Sequence, residues 1–387
     1  MSDDLLRFRP DFPILADTTY LISNSLGAMP RATQEALNEY ADVWATRGVR
    51  AWEETWWMLA HEVGALIENL MNAEQNTVSL HQNVTQCQAV VASCFDFSGK
   101  RNKVVYTDMN FPSVMYFWEA QRGNGARVHM VSTDDGIHVP TERLLEAIDE
   151  ETLVVPVSHV LFRSAYINDA QAIIERAHKV GAHVVLDTFQ SLGTVPVDVR
   201  ALNVDFACGG VLKWLCGGPG TAYLYVRADL GRKLTPRLTG WVAHQEPFQF
   251  EIGPIRYAEA PYKFMNGTPN VPALYAARPG LKIIGKAGID NIRAKSKHQI
   301  RKLIDLADKR GWRVNAPRDP EKRGGTVSID TPNSKEVCAE LLKRDVLVDW
   351  RPKAGVRMSP HFYTADHELE SAINTVEEIL SGMTVAH

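Results

Sequence analysis

Between residues 103 and 227, short apolar runs alternate with amphipathic helical stretches, and no other feature restricts the fold of this chain as much. Residues 103–109 (KVVYTDM) and 127–131 read as strands, 141–149 (TERLLEAID) as a helix, and 152–160 (TLVVPVSHV) as a buried strand. In 169–180, Ala172, Ile173, Ala177 and Val180 fall on one helical face, and Gly181 follows as a stop signal. Residues 182–186 (AHVVL) are again strand-like and are closed by Asp187; 204–207 and 220–226 (GTAYLYV) complete the series. Parallel neighbours need a crossover, usually a helix, so the alternation predicts an α/β fold with a mainly parallel central sheet.

The flanks differ. Residues 32–72 read as helix, with Leu37, Tyr40, Ala41 and Trp44 at helical spacing and a second apolar face through Trp56, Leu59, Val63, Leu66 and Leu70. The Trp-rich stretch 52–57 reads as core rather than pocket wall. After Gly231 prolines accumulate. A long helix is then predicted over 273–307, broken near Pro279 and Gly280. The tail offers a strand at 326–329, a helix at 335–344, a strand at 346–350 and a last helix at 366–380, a smaller α+β unit. For 387 residues this predicts an N-terminal arm (1–30), a large domain (31–265) and a small C-terminal domain (266–387) joined by the long helix.

Composition narrows the function classes. Apolar residues make up 45 % and charged residues 23 %, too apolar for a disordered chain. The 42 basic and 46 acidic residues leave a net charge of −4, which excludes a bulk basic field for nucleic acid. Five scattered cysteines without a C-x-x-C pair signal neither a zinc knuckle nor a dithiol, and a reduced cytoplasmic setting is expected. The N-terminus lacks a signal-peptide pattern, and no run of 18 apolar residues predicts a membrane span. There is no HExxH, P-loop, GxGxxG after the first strand or G-x-S-x-G elbow, and no metal site is expected.

Ligands of open α/β sheets collect beyond the carboxyl ends of the strands. Asp187 closes one strand. Lys213 follows the strand-like VDFACGG, 26 residues later, and Phe111 follows KVVYTDM. A lysine amine and a carboxylate at neighbouring strand ends suit pyridoxal phosphate. Its aldehyde needs an amine for a Schiff base, and its ring nitrogen needs an acid partner to stay protonated. Taken singly, a helix-capping Asp187 and a solvated Lys213 explain the residues as well. Residues 81–85 (HQNVT) precede a helix-like segment and suit either a phosphate cradle or a simple N-cap.

Several motifs in order resemble the class V aminotransferase group of pyridoxal-phosphate enzymes, and kynureninases most closely. They are YLISNSLGAMPRA (20–32), NFPS (110–113), SHVLFRSAY (158–166), DTFQSLGTVPVDV (187–199), DFACGGVLKWLCGGPG (205–220), GW (240–241), GTP (267–269) and VDWRPKAGVRMSP (348–360). The resemblance implies a fold-type-I enzyme using pyridoxal 5'-phosphate, working as a homodimer with the site at the subunit interface. It implies that Lys213 forms the internal aldimine, Asp187 pairs with the pyridine nitrogen, Phe111 stacks on the ring and Gln190 reaches the phenolic oxygen. Asn83, Val84 and Thr85 would hold the phosphate, with Trp241 and Thr268 from the neighbouring subunit. Ser158 would line the cofactor, Arg357 would bind the substrate α-carboxylate with Arg351 as a rival, and Asn24 would border the substrate.

The chain departs from the kynureninase pattern in three places. Gln190 replaces a histidine, Leu212 a tyrosine and Thr268 an asparagine. Leucine can neither donate to phosphate nor move a proton. The implied reaction is side-chain cleavage of an α-amino acid by a hydrolase or lyase, with transamination as the alternative. A cysteine desulfurase would need a mobile cysteine ahead of Arg357, where only Cys338 stands, and a catalytically silent cofactor-binding protein is a further alternative. Trp52, Trp56, Trp57, Phe162 and His244 are candidate walls for a flat substrate side chain.

Overall fold

The computed structural model describes residues 3–385. At its centre lies a seven-stranded sheet of β1 (Val78–His81), β2 (Lys103–Thr107), β3 (Arg127–Val131), β4 (Thr152–Ser158), β5 (His183–Asp187), β6 (Phe206–Gly210) and β7 (Ala222–Val226). The spatial order is β1-β7-β6-β5-β4-β2-β3. Strands β2 to β6 pair in parallel, and β7 runs antiparallel to both β6 and β1. The alternation in the sequence therefore does produce a mainly parallel sheet.

Both faces of this sheet are covered. Val105, Val155, Val184, Leu186, Ala207 and Tyr223 join one apolar cluster, whereas Val104, Val154, Val185, Phe206, Cys208 and Leu224 join another. Successive strand residues leave on opposite sides, so a strand buried on both faces is a continuous apolar run. The first cluster is completed by α2 (Trp57–Leu70), α6 (Ala170–Lys179) and α8 (Val271–Ala287), the second by α3 (Val84–Ser93) and α4 (Pro112–Ala120). The other helices are α1 (Arg31–Arg47), α5 (Thr141–Ala147), α7 (Ala228–Lys233), α9 (Ile289–Asp308), α10 (Ser334–Lys343) and α11 (Asp366–Val385).

A second, antiparallel sheet holds β8 (Arg313–Val314), β9 (Val327–Asp330), β10 (Asp349–Arg351) and β11 (Gly355–Met358) in the order β10-β11-β9-β8. It packs with α9, α10 and α11 around Ile300, Leu303, Val337, Leu341, Leu369 and Ile373. The N-terminal arm reaches into this unit. Thr19–Tyr20 pairs in parallel with Val346–Leu347, Ile22 bridges to Ser359, and Leu21 joins the C-terminal core.

Three predicted elements are corrected. The single helix over 32–72 is interrupted where Gly48, at φ 55°, ends α1; a 3-10 turn and a π-helix (Trp52–Trp56) intervene before α2. The long helix does not break at Pro279. Instead, α8 runs through it to Ala287, and the break falls at Gly288, at φ 81°. A proline inside a helix forfeits one hydrogen bond, and here a face of Tyr275, Ala277, Leu281 and Ile284, all buried, holds the helix together across it. The strand predicted at 346–350 is two strands, in two different sheets.

Candidate active site

Strands β4, β5 and β6 present their carboxyl ends side by side, with Ser158 opposite Asp187 and Asp187 opposite Cys208. Beyond these ends lies a cavity of about 260 Å³. Its wall includes Lys213, Asp187, Gln190, Phe111, Ser158, Asn83, Val84 and Thr85, eight residues that sequence reasoning put forward. Val160, Phe162, Phe189 and Leu212 supply most of the remaining wall.

Each of these side chains has a local reason for its position. Asn83 caps α3 by accepting the Gln86 N–H at 3.0 Å, which leaves the next N–H groups, those of Val84 and Thr85, without an intrahelical acceptor. Such a helix start favours an anion. Phe111 heads α4 from a turn tied by Asn110, whose amide donates to the Pro156 carbonyl at 2.9 Å and accepts from Thr107 at 2.9 Å. The ring of Phe162 meets that of Phe111 edge-on at 5.3 Å.

Lys213 sits on a turn gripped from several sides. Gly27 of the arm lies so close that a Cβ there would stand 2.1 Å from the Lys213 carbonyl oxygen. A Cβ at Gly280 of α8 would likewise stand only 2.4 Å from the carbonyl oxygens of Leu215 and Cys216. His361 donates from Nε2 to the Trp214 carbonyl at 2.8 Å. The Lys213 ammonium lies 4.4 Å from the Phe189 ring centre and 5.5 Å from that of Phe111. Burial pushes its pKa down to about 8, although Asp187 opposes the shift. Asp187 is 6 % exposed; burial raises its pKa, while the Phe189 N–H at 2.9 Å and the charge of Lys213 work the other way.

Gln190 has both ends of its amide engaged. Its Nε2 donates to the Asn24 carbonyl at 3.0 Å, and its Oε1 accepts the Trp214 indole N–H at 2.9 Å. One hydrogen of Nε2 is left for a ligand. Trp214 follows the lysine directly, yet nothing in the sequence signalled this role. Asn24 itself is buried, and neither its side-chain oxygen nor its nitrogen has a partner. A buried amide without partners costs free energy, which a ligand with polar groups recovers.

Other expected residues lie elsewhere. Arg357 is buried behind Phe162, and Thr268 lines a separate cavity of about 230 Å³ beside His81 and Gln86. Trp241 packs against Trp57 and Phe248 at 5.6 and 5.7 Å. Of the candidate pocket walls, only Phe162 faces Lys213. Trp56 is buried beside Tyr40 and Trp52, Trp57 stacks with Tyr262, and His244 pairs with Glu251. The reading of 52–57 as core rather than pocket wall holds: Trp56 is buried in the large apolar cluster, and Trp52 and Trp57 pack against it.

The donor set suits pyridoxal 5'-phosphate. One cavity holds an amine, a buried carboxylate still able to accept a proton donor, an exposed aromatic face on Phe111 and a helix start for a phosphate. Among the described residues there is no group of three or more side chains arranged to hold a metal ion. No described helix is long and apolar enough to cross a membrane.

Comparison with known proteins gives a consistent picture. The family model Aminotransferase class-V matches residues 19–349. An uncharacterized aminotransferase, YcbU, of Bacillus subtilis is 31 % identical over 374 residues, 96 % of each chain. A kynureninase of Bacillus cereus is 28 % identical, covering 98 % of this chain and 92 % of its own. Among solved structures, the apo cysteine desulfurase of Thermococcus onnurineus superposes with a TM-score of 0.86 at 22 % identity, over 97 % of this chain and 98 % of its own, a likeness of fold.

Proposed function

Because the chain belongs to the class V aminotransferase family, whose cofactor is pyridoxal 5'-phosphate, we propose that it cleaves the side chain of an α-amino acid in the manner of kynureninases. The observation that carries this reading is the shared cavity of a half-buried Lys213 and a buried Asp187, just beyond neighbouring strand ends. When bound, the cofactor supplies an aldehyde for the substrate amine and a protonated ring that takes up the electron pair released at Cα.

The residues divide the remaining work. Lys213 would hold the cofactor covalently, and its lowered pKa lets Nζ carry or release a proton near neutrality. Asp187, shielded from water, would keep a proton on the ring nitrogen through a charge-assisted hydrogen bond. Phe111 would cover one ring face, Gln190 would donate its spare amide hydrogen to the phenolic oxygen, and Ser158 would line the ring. Asn83, Val84 and Thr85 would seat the phosphate, while Arg357 and Asn24 would face the substrate. In this reading the protein is a homodimer of two-domain subunits, divided at residues 31 and 266, and works in the cytoplasm. Trp241 and Thr268 stay apart from the Lys213 cavity within one chain, in keeping with a role at the neighbouring subunit's phosphate.

The aminotransferase alternative is favoured by the 31 % identity to YcbU. A desulfurase is disfavoured: Cys338 is buried in α10, with its thiol toward the Val348 carbonyl at 3.9 Å. The decisive experiment is an absorbance screen of the purified holoprotein against amino acids, including kynurenine and 3-hydroxykynurenine, with product analysis. Side-chain cleavage products support the proposal. An amino group that passes to an added 2-oxo acid, without cleavage, replaces it with transamination.

A further inference from the structure

Arg357 is not a free guanidinium. In the antiparallel pairing of β10 with β11 it stands directly opposite Asp349. Its Nε donates to Asp349 Oδ1 at 2.7 Å, its Nη2 donates to Asp349 Oδ2, and its Nη1 donates to the Phe162 carbonyl at 2.6 Å. Arg357 is 2 % exposed and Asp349 9 %, so the pair is held away from water. A guanidinium carries five N–H groups. Three are spent on these contacts, and one hydrogen remains on each Nη.

The charges add up in an informative way. Asp349 alone would neutralise Arg357 and leave nothing to attract an anion. Arg351 also approaches Asp349, with its Nη2 at 3.1 Å from Oδ2, and its side chain is 39 % exposed. The Arg351–Asp349–Arg357 group therefore has a net charge of +1, which matches a single carboxylate. Phe162 couples the group to the cavity: its carbonyl holds Arg357, and its ring lies in the wall beside Phe111.

We propose that Asp349 is a positioning residue that pins Arg357 side-on, so that its two remaining N–H groups form the fork for the substrate carboxylate, with Arg351 supplying the surplus positive charge. The proposal rests on the reading of this site as one for α-amino acids. It makes Asp349 a support for carboxylate binding rather than a competitor for the same guanidinium.

The test compares two probes that differ by one carboxylate, L-kynurenine and its decarboxylated counterpart kynuramine, titrated into the holoprotein by visible absorbance. In Asp349→Asn the dissociation constant for kynurenine rises about tenfold, the loss of one charge-assisted hydrogen bond, while that for kynuramine moves less than about twofold. Arg351→Gln, at a half-exposed position that leaves the core intact, shifts kynurenine selectively in the same direction. Equal losses for both probes, an unchanged kynurenine affinity, or tighter kynurenine binding in Asp349→Asn overturns the positioning role. Wild-type protein that binds the two probes equally, or ignores kynurenine, removes instead the amino-acid reading beneath it. A thermal melt of each variant separates these outcomes from misfolding: a variant that melts with wild type and loses both probes counts against the proposal.

Discussion

At the scale of single residues, the site is governed by what burial does to two charges. Lys213 loses solvation, which lowers its pKa to about 8 from the ~10.4 of a free lysine. The neutral amine is the nucleophile, so capture of pyridoxal phosphate by apoprotein should speed up as pH rises through about 8 and level off above it. Stopped-flow absorbance checks this, and a rate still climbing at pH ~10 would mean an ordinary lysine. Lys213→Ala should abolish the visible absorbance of lysine-bound cofactor altogether. Asp187→Asn should keep the cofactor bound but lower turnover by at least about 100-fold, since an amide cannot hold the ring nitrogen protonated. Turnover within a few-fold of wild type would remove Asp187 from its role. Both residues could be singled out in the sequence because Asp187 closes one strand and Lys213 follows shortly after the end of the next. Trp214 and Asp349 could not. A tryptophan that orients a glutamine, and an aspartate that orients an arginine, act through contacts between segments far apart in the chain, and no spacing within one segment encodes them.

At the scale of elements, what matters is how closely the backbones around the lysine turn approach one another. The alternation of strands and helices was legible because apolar period reports burial directly. The breaks in the helices were misjudged, because a proline is tolerated where packing holds the helix and a glycine at positive φ ends one without any other signal. The contact of Gly27 with the lysine turn was invisible for a different reason: an absent side chain says nothing until the neighbour is known. Adding a methyl group at Gly27 would drive it into the Lys213 carbonyl and force the arm off the turn. Gly27→Ala should therefore cost about 1–3 kcal/mol, as overpacking of a filled interior does, and should loosen the cofactor. Chemical denaturation and the rate of cofactor loss on dilution measure the two effects. A stable variant that retains the cofactor would show that the arm can shift freely.

At the scale of the whole molecule, the two ends of the parallel sheet carry different duties. The carboxyl ends hold the cavity, while the opposite end is locked by ions. Asp205, 1 % exposed, accepts from His178 at 2.9 Å and from the Val184 N–H at 2.8 Å, and Arg227 stands 3.1 Å away. These hydrogen bonds, led by His178, outweigh burial and hold its carboxyl well below the usual range. A carboxylate whose pKa is lower folded than unfolded stabilises the protein above the unfolded value, about 3.9, and that stabilisation fades as pH falls toward the folded value. Asp205→Asn should thus cost about 2–3 kcal/mol at neutral pH, with the gap to wild type closing below pH ~4. The exposed surface makes a separate demand. Phe248 (55 %) is bare against Trp241, Phe250 (73 %) is bare against Phe248, and an apolar patch of this kind marks a contact surface. If a second copy covers it and lends Trp241 and Thr268 to the phosphate, then wild-type protein sediments at twice the 43.2 kDa chain mass. Phe248→Glu with Phe250→Glu, both on the surface, should yield a folded monomer that loses pyridoxal phosphate on dialysis, because its phosphate site is left incomplete. A monomer that keeps the cofactor as tightly as wild type would place the whole phosphate site within one chain and confine the patch to a structural role.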